Sequence, residues 1–324
     1  MRHRLLTHIE LCIATLSLLA VGGAPRLILK GEKETELAPH HHGNVYAPCL
    51  VREGKLWRMW YGGQGTDGHD RIHYAESRDG LSWQRLGVAF EDRQANHLND
   101  PTVVQVKGQY YLYYTRTEKD VVDRIDVAIS KDGKVWEKKG AALKPALGTA
   151  WDDLSVGRPA VIYEDGLFKL WYDGRKDFPP DAPVRDVPKS ATSRRHVGYA
   201  TSKDGLRFTR STQEPVLGND IGAVDVKRVG NQLVLVYESR LGTGLATSLD
   251  GKTWLDKGIV SGTSAEKLDA FGHVTPNLLI DANGGLQGIY VGAAAATTWD
   301  QNSIAVLSIT SEKWQQFLKT KSPP

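Results

Sequence analysis

The segment "HYAESRDGLSWQRLG" at 73–87 is written again as "VAISKDGKVWEKKG" at 127–140, "YATSKDGLRFTR" at 199–210 and "LATSLDGKTWLDKG" at 245–258. Each copy is an alternating strand, a Ser-x-Asp-Gly and a short second strand with an aromatic residue. Asp-Gly between β-rich runs signals a tight turn, because both residues tolerate positive φ. Asp79, Asp132, Asp204 and Asp250 are therefore read as turn-stabilising. Two more strands precede each copy: "APCLVRE" and "LWRMWYGG", "PTVVQV" and "YYLYYT", "RPAVIYE" and "LFKLWYDG", "AVDVKRV" and "QLVLVYES". A weaker fifth unit reads "VTPNLLIDANGGLQGIYVGA", then "SIAVLSI". Repeats of this length with four strands each predict propeller blades. The expected fold is all-β, a five-bladed β-propeller of four-stranded antiparallel blades, over 44–87, 98–140, 155–210, 222–258 and 271–316. A β-sandwich would not repeat a four-strand unit in register. A ring must close, and either "RLILKG" at 26–31 or the segment around Trp314 supplies the last outer strand.

The N-terminus reads as a secretory leader over 1–24: Arg2 and Arg4, an apolar stretch from Leu11 to Val21, then Gly22, Gly23 and Ala24. That stretch is too short to span a bilayer. The expectation is a secreted or periplasmic protein, off the membrane after cleavage, with a single propeller over 25–324. Cys49 is then the only cysteine and is read as a small core residue. A net charge of +3 gives no footprint for nucleic acid. His40, His41 and His42 are read as an exposed leader to the first blade, with no metal site. Nothing in the chain fixes an oligomeric state.

In a propeller the first strand of each blade lines the central channel, and the loops joining second and third strands open on the same face. Those positions hold Tyr46, Asn99, Asp100, Arg158, Asp225 and His273, joined by Asp173, Arg175, Glu238, Arg240 and Trp299. Aromatic and charged groups converging on one cleft suit an oligosaccharide or polysaccharide, through stacking on sugar faces and hydrogen bonds to hydroxyls. The third unit carries an insertion rich in proline and charge at 174–196, which by position overhangs that cleft.

The "HLNDPTVV" at 97–104 and the Ser-x-Asp-Gly-x-x-Trp turns resemble the arabinanase, levansucrase and invertase superfamily, which includes glycoside hydrolase families 32, 43 and 130. Family 43 places acids on the first strands of three blades. Here Asp100 matches the second, while Ala47 and Arg158 stand where the first and third belong. Family 130 is similar in lacking an acid in the first blade, and its proton-donating Asp matches Asp100; Thr102 stands where that family has arginine. The resemblance implies an exported enzyme cleaving a glycosidic bond, with Asp100 as acid. Asp225 or Glu238 is the expected catalytic partner, with Asp152 and Asp153 as further candidates. An inverting pair needs about 6.5–9.5 Å between carboxyls to admit water. The alternatives are a family-130-like phosphorylase, in which arginines bind phosphate, and a glycan-binding propeller without catalysis. The resemblance implies no organic cofactor and allows a structural calcium in the channel.

Overall fold

The computed structural model of the chain describes residues 23–31, 43–65, 68–118, 122–148, 151–182, 186–218, 220–239, 241–264, 268–296 and 301–319. Most of the leader, His40–His42, Arg240 and Trp299 lie outside these residues. The first strand, β1, is Gly23–Lys30. Blade 1 follows as β2 Val45–Glu53, β3 Leu56–Gln64, β4 Asp70–Ser77 and β5 Trp83–Phe90. Blade 2 is β6 His97–Val106, β7 Gln109–Glu118, β8 Val122–Ser130 and β9 Glu137–Leu143. Blade 3 is β10 Ser155–Glu164, β11 Leu167–Arg175, β12 His196–Ser202 and β13 Thr209–Arg210. Blade 4 is β14 Gly222–Val229, β15 Gln232–Ser239, β16 Gly242–Ser248 and β17 Leu255–Gly262. Blade 5 is β18 Gly272–Ile280, β19 Leu286–Ala294 and β20 Asn302–Ser308. Its outer strand is β1, paired antiparallel with β20 from Arg26↔Val306 to Lys30↔Ser303. First strands of successive blades pack on one another around the ring, blade 5 back onto blade 1.

The five-bladed, all-β expectation is borne out, and the N-terminal segment closes the ring. Trp314 sits instead in a helix, α1 Ser311–Lys319. Its indole is buried against Val291, Ala305 and Leu307 of blade 5.

The repeated turn is one hydrogen-bonded device built four times. In blade 2, Ser130 Oγ donates to Asp132 Oδ1 at 2.9 Å and accepts from Gly133 N at 2.9 Å. Asp132 Oδ1 also accepts from the amides of Lys134 and Val135. Asp79, Asp204 and Asp250 repeat the pattern. Those amide donors hold Asp79, Asp132 and Asp250 down at about 2.

The turn glycine also ties adjacent blades. Trp60 Nε1 donates to Gly133 O at 3.0 Å, Tyr113 Oη to Gly205 O at 2.8 Å and Trp171 Nε1 to Gly251 O at 2.8 Å. Gly251 has φ +76°, and a Cβ there would stand 2.7 Å from the Trp171 ring. Gly251→Ala combines left-handed strain with overpacking and should cost roughly 2–5 kcal/mol. A lowered denaturation midpoint measures it; an unchanged one would remove the rivet.

Candidate active site at the channel mouth

All five innermost strands break their ladder at the same point. Register shifts fall between Tyr46 and Cys49, Asn99 and Thr102, Gly157 and Ala160, Gly222 and Val224, and Val274 and Asn277. Within each break one residue is left-handed: Ala47, Asp100, Arg158, Ala223 and Thr275, with φ between 44° and 50°. Four of them precede proline, which itself disfavours compact backbone at the preceding residue. Such conformations cost of order 1–3 kcal/mol each for residues other than glycine. A bulge re-aims a side chain that the pleat would otherwise direct elsewhere. The five residues, with the prolines beside them, line a small open funnel on the propeller axis.

Two residues beyond the bulge in blades 1, 4 and 5 a side chain ties blade to blade. Cys49 Sγ accepts from Val103 N at 3.2 Å, and burial pushes that thiol up to about 11. Asn277 Oδ1 accepts from Leu50 N at 3.1 Å. Asp225 holds the corresponding place in blade 4. Its Oδ2 accepts from Leu278 N at 2.8 Å and Asn277 Nδ2 at 2.9 Å. Its Oδ1 accepts from Lys227 Nζ at 2.7 Å and Val226 N at 2.9 Å. All four lone-pair directions of this carboxylate are engaged.

Asp100 is 7% exposed. Burial is the largest influence on its carboxyl and raises it to about 7, against the pull of Arg158 and a hydrogen bond from Thr115; Asp173 and Asp123 push the same way as burial. Thr115 Oγ1 accepts from Arg158 N at 2.7 Å, which leaves its hydroxyl proton for Asp100.

From Arg158 a polar arc runs to blade 5. Arg158 Nη1 donates to both Asp173 oxygens at 3.3 Å. Asp173 Oδ2 accepts from Ala223 N at 3.3 Å and stands 3.9 Å from Arg195 Nη1. Arg195 Nη1 donates to Glu238 Oε1 at 2.8 Å, and Glu238 Oε2 accepts from Thr275 N at 3.1 Å. Each Glu238 oxygen has one such donor, so lone pairs remain. Gly222 makes room for the arc: a Cβ there would lie 2.6 Å from Asp173 Oδ2. On the other side of Asp100, Asn99 Nδ2 donates to Tyr46 Oη at 3.1 Å, and Tyr46 Oη donates to Asp70 Oδ2 at 2.8 Å.

Tyr46, Asn99, Asp100, Arg158, Asp173 and Glu238 thus belong to one bonded and electrostatically coupled surround, with Arg175 beside Asp173 and Arg158. Asp225 lies in the funnel wall but is spent on blade ties. His273 is sealed from solvent, its Nδ1 against Thr243 Oγ1 at 3.1 Å and its Nε2 against Asp269 Oδ2 at 3.0 Å; no imidazole nitrogen is left for a ligand. Asp152 is likewise taken up, by Tyr172 Oη at 2.9 Å and Arg210 Nε at 2.8 Å. The sequence reading missed Arg195, which arrives from the insertion at 174–196, and Thr115, an unremarkable strand residue. Among the described residues no group of three or more His, Cys, Asp or Glu is placed to hold a metal ion, and no helix is long and apolar enough to cross a membrane.

The fold is a five-bladed propeller similar to those of solved glycoside hydrolases. A solved glycoside hydrolase covers 93% of this chain, and 96% of its own, with a TM-score of 0.65 at 19% identity. A structure from a study of the GH130 family of mannoside phosphorylases, reporting hydrolases that target β-1,2 mannosidic linkages in Candida mannan, covers 90% of this chain and 95% of its own, with a TM-score of 0.63 at 16% identity. No family model matches the chain. In sequence it is similar to an uncharacterized protein of Mycobacterium tuberculosis, 29% identical over 140 residues, 39% of this chain and 45% of that protein. It is also similar to a 1,2-beta-oligomannan phosphorylase of Thermoanaerobacter, 30% identical over 134 residues, 37% of this chain and 43% of that enzyme. The chain thus spans less than half the length of the curated relatives it matches.

Proposed function

We propose that the chain cleaves glycosidic bonds at the channel mouth, with Asp100 protonating the leaving oxygen. The observation that carries this is a buried carboxyl at the funnel, raised to about 7 and held on strained backbone. A general acid works best with its pKa near the operating pH. Glu238 is the preferred base for water, because its oxygens keep lone pairs while those of Asp225 do not. Arg158 and Asp173 position the acid and bind sugar hydroxyls, with Tyr46 and Asn99 on the far side. Export is part of the proposal and rests on the leader-like residues 1–24.

A second reading is phosphorolysis. Glu238 is ion-paired with Arg195, a poor start for a base, and phosphate attack needs none. The Thermoanaerobacter relative is named as a phosphorylase. Product analysis with and without inorganic phosphate decides: a free reducing sugar means hydrolysis, and a sugar 1-phosphate means phosphorolysis. No cleavage on a broad glycoside panel, with glycans still bound, would sink both.

The pH profile follows from the acid. Asp100 must hold its proton, so kcat/KM should fall as pH rises through about 7. Initial rates between pH 5 and 9 check this range of about two units either side. A flat alkaline limb would remove Asp100 from the acid role.

A further inference from the structure

Arg175 is a cation with nothing to neutralise it directly. It ends β11, half buried, its guanidinium 4.8 Å from the ring centroid of Phe178 at the root of the insertion. Among the described residues that guanidinium makes no hydrogen bond and no ion pair. Arg158 and Arg195 stand near enough to disfavour its charge further, and both spend themselves on Asp173 and Glu238. A partly buried charge without a direct partner gains by pairing with an anion that reaches it. The cation–π contact with Phe178 helps hold the guanidinium in place.

Resting on the proposed glycoside cleavage, we infer that Arg175 binds a carboxylate carried by the sugar itself, so that the substrate is an acidic glycan containing a uronic acid. Its place argues for a substituent rather than an attacking phosphate. Across the sheet Asp173 pairs with Gly157, beside the bulge at Arg158, while Arg175 pairs with Ser155, at the start of β10. The cation is therefore carried two residues further along β11 than Asp173, away from the level of the bulges that hold Arg158 and Asp100. A nucleophilic phosphate must reach the carbon whose bond Asp100 protonates. A carboxylate at the opposite end of a sugar ring need not. Arginine holds a carboxylate through two parallel hydrogen bonds.

The test is binding to the whole chain, read by titration NMR, with D-glucuronate, D-galacturonate and D-mannuronate each set against its neutral parent hexose. At least one uronate should bind on the order of tenfold to a hundredfold more tightly than its parent, the range for a hydrogen bond to a charged group. Arg175→Gln should erase that preference and leave the parent's affinity unchanged; Arg175→Lys should restore only part of it. A wild-type chain without preference for any uronate overturns the inference. So does an Arg175→Gln chain, folded by its thermal transition, that keeps the preference. Inorganic phosphate binding that depends on Arg175, with no uronate preference, assigns the site to phosphate instead. A wild-type chain that keeps the uronate preference but cleaves no glycoside sinks the catalytic reading alone, and one that cleaves glycosides without any uronate preference sinks this inference alone.

Discussion

Asp100→Asn should lower turnover of a glycoside with a poor leaving group by about 10²–10⁴-fold, the usual worth of general acid catalysis. A substrate with an activated leaving group needs little protonation and should lose far less. The same change should make the protein more stable, not less. Asp100 is buried, and its carboxyl is raised from 3.8 to about 7 in the folded chain. A carboxylate raised on folding costs stability, and the cost grows as pH climbs from the unfolded value to the folded one. Above about pH 7 it is fully present, on the order of 4 kcal/mol from the size of the shift. Asparagine carries no charge and tolerates the left-handed backbone required at φ 50°. Denaturation at pH 8 should therefore show the variant gaining, and at pH 4 the two chains should nearly coincide. Equal rate losses on good and poor leaving groups would make Asp100 a positioning residue. A variant less stable than wild type at pH 8 would contradict its buried, destabilising charge.

Asp225→Ala should behave in the opposite way. It strands Asn277 Nδ2 and Leu278 N inside the wall between blades 4 and 5 and leaves the partly exposed Lys227 without its partner. Each buried donor left unsatisfied costs roughly 1–3 kcal/mol. The loss should appear in the urea midpoint at pH 7, while molecules that remain folded keep most of their turnover. Glu238→Gln is the complement: it keeps the shape and an acceptor oxygen, so it should cost less stability than Asp225→Ala while hydrolysis falls. Should Asp225→Ala keep the wild-type midpoint and lose all activity, the assignment of roles between these two acids reverses.

Much of the fold was legible because its instructions are short-ranged. Ser130, Asp132 and Gly133 satisfy one another within three residues, so the turn repeats wherever the words repeat. The period then gave blades and their number. The Asn-Asp-Pro at 99–101 flagged Asp100 as a site residue, but none of the five bulges was legible, because Ala47, Ala223 and Thr275 carry no chemical flag. Ring closure was open between two segments, since either end of a chain can lie beside the last blade. The pairing of β1 with β20 needed both in three dimensions.

The site divides along the same line. That Asp100, Glu238 and Arg158 approach the axis follows from strand order alone. Which acid keeps lone pairs does not, because the donors come from other blades. Asp225 is bound by Asn277 and Leu278, 52 and 53 residues away, and Glu238 by Arg195 and Thr275, 43 and 37 residues away. Local words specify turns and strands through contacts a few residues long. The protonation and availability of a carboxylate depend on burial and on donors that only the closed ring brings to it.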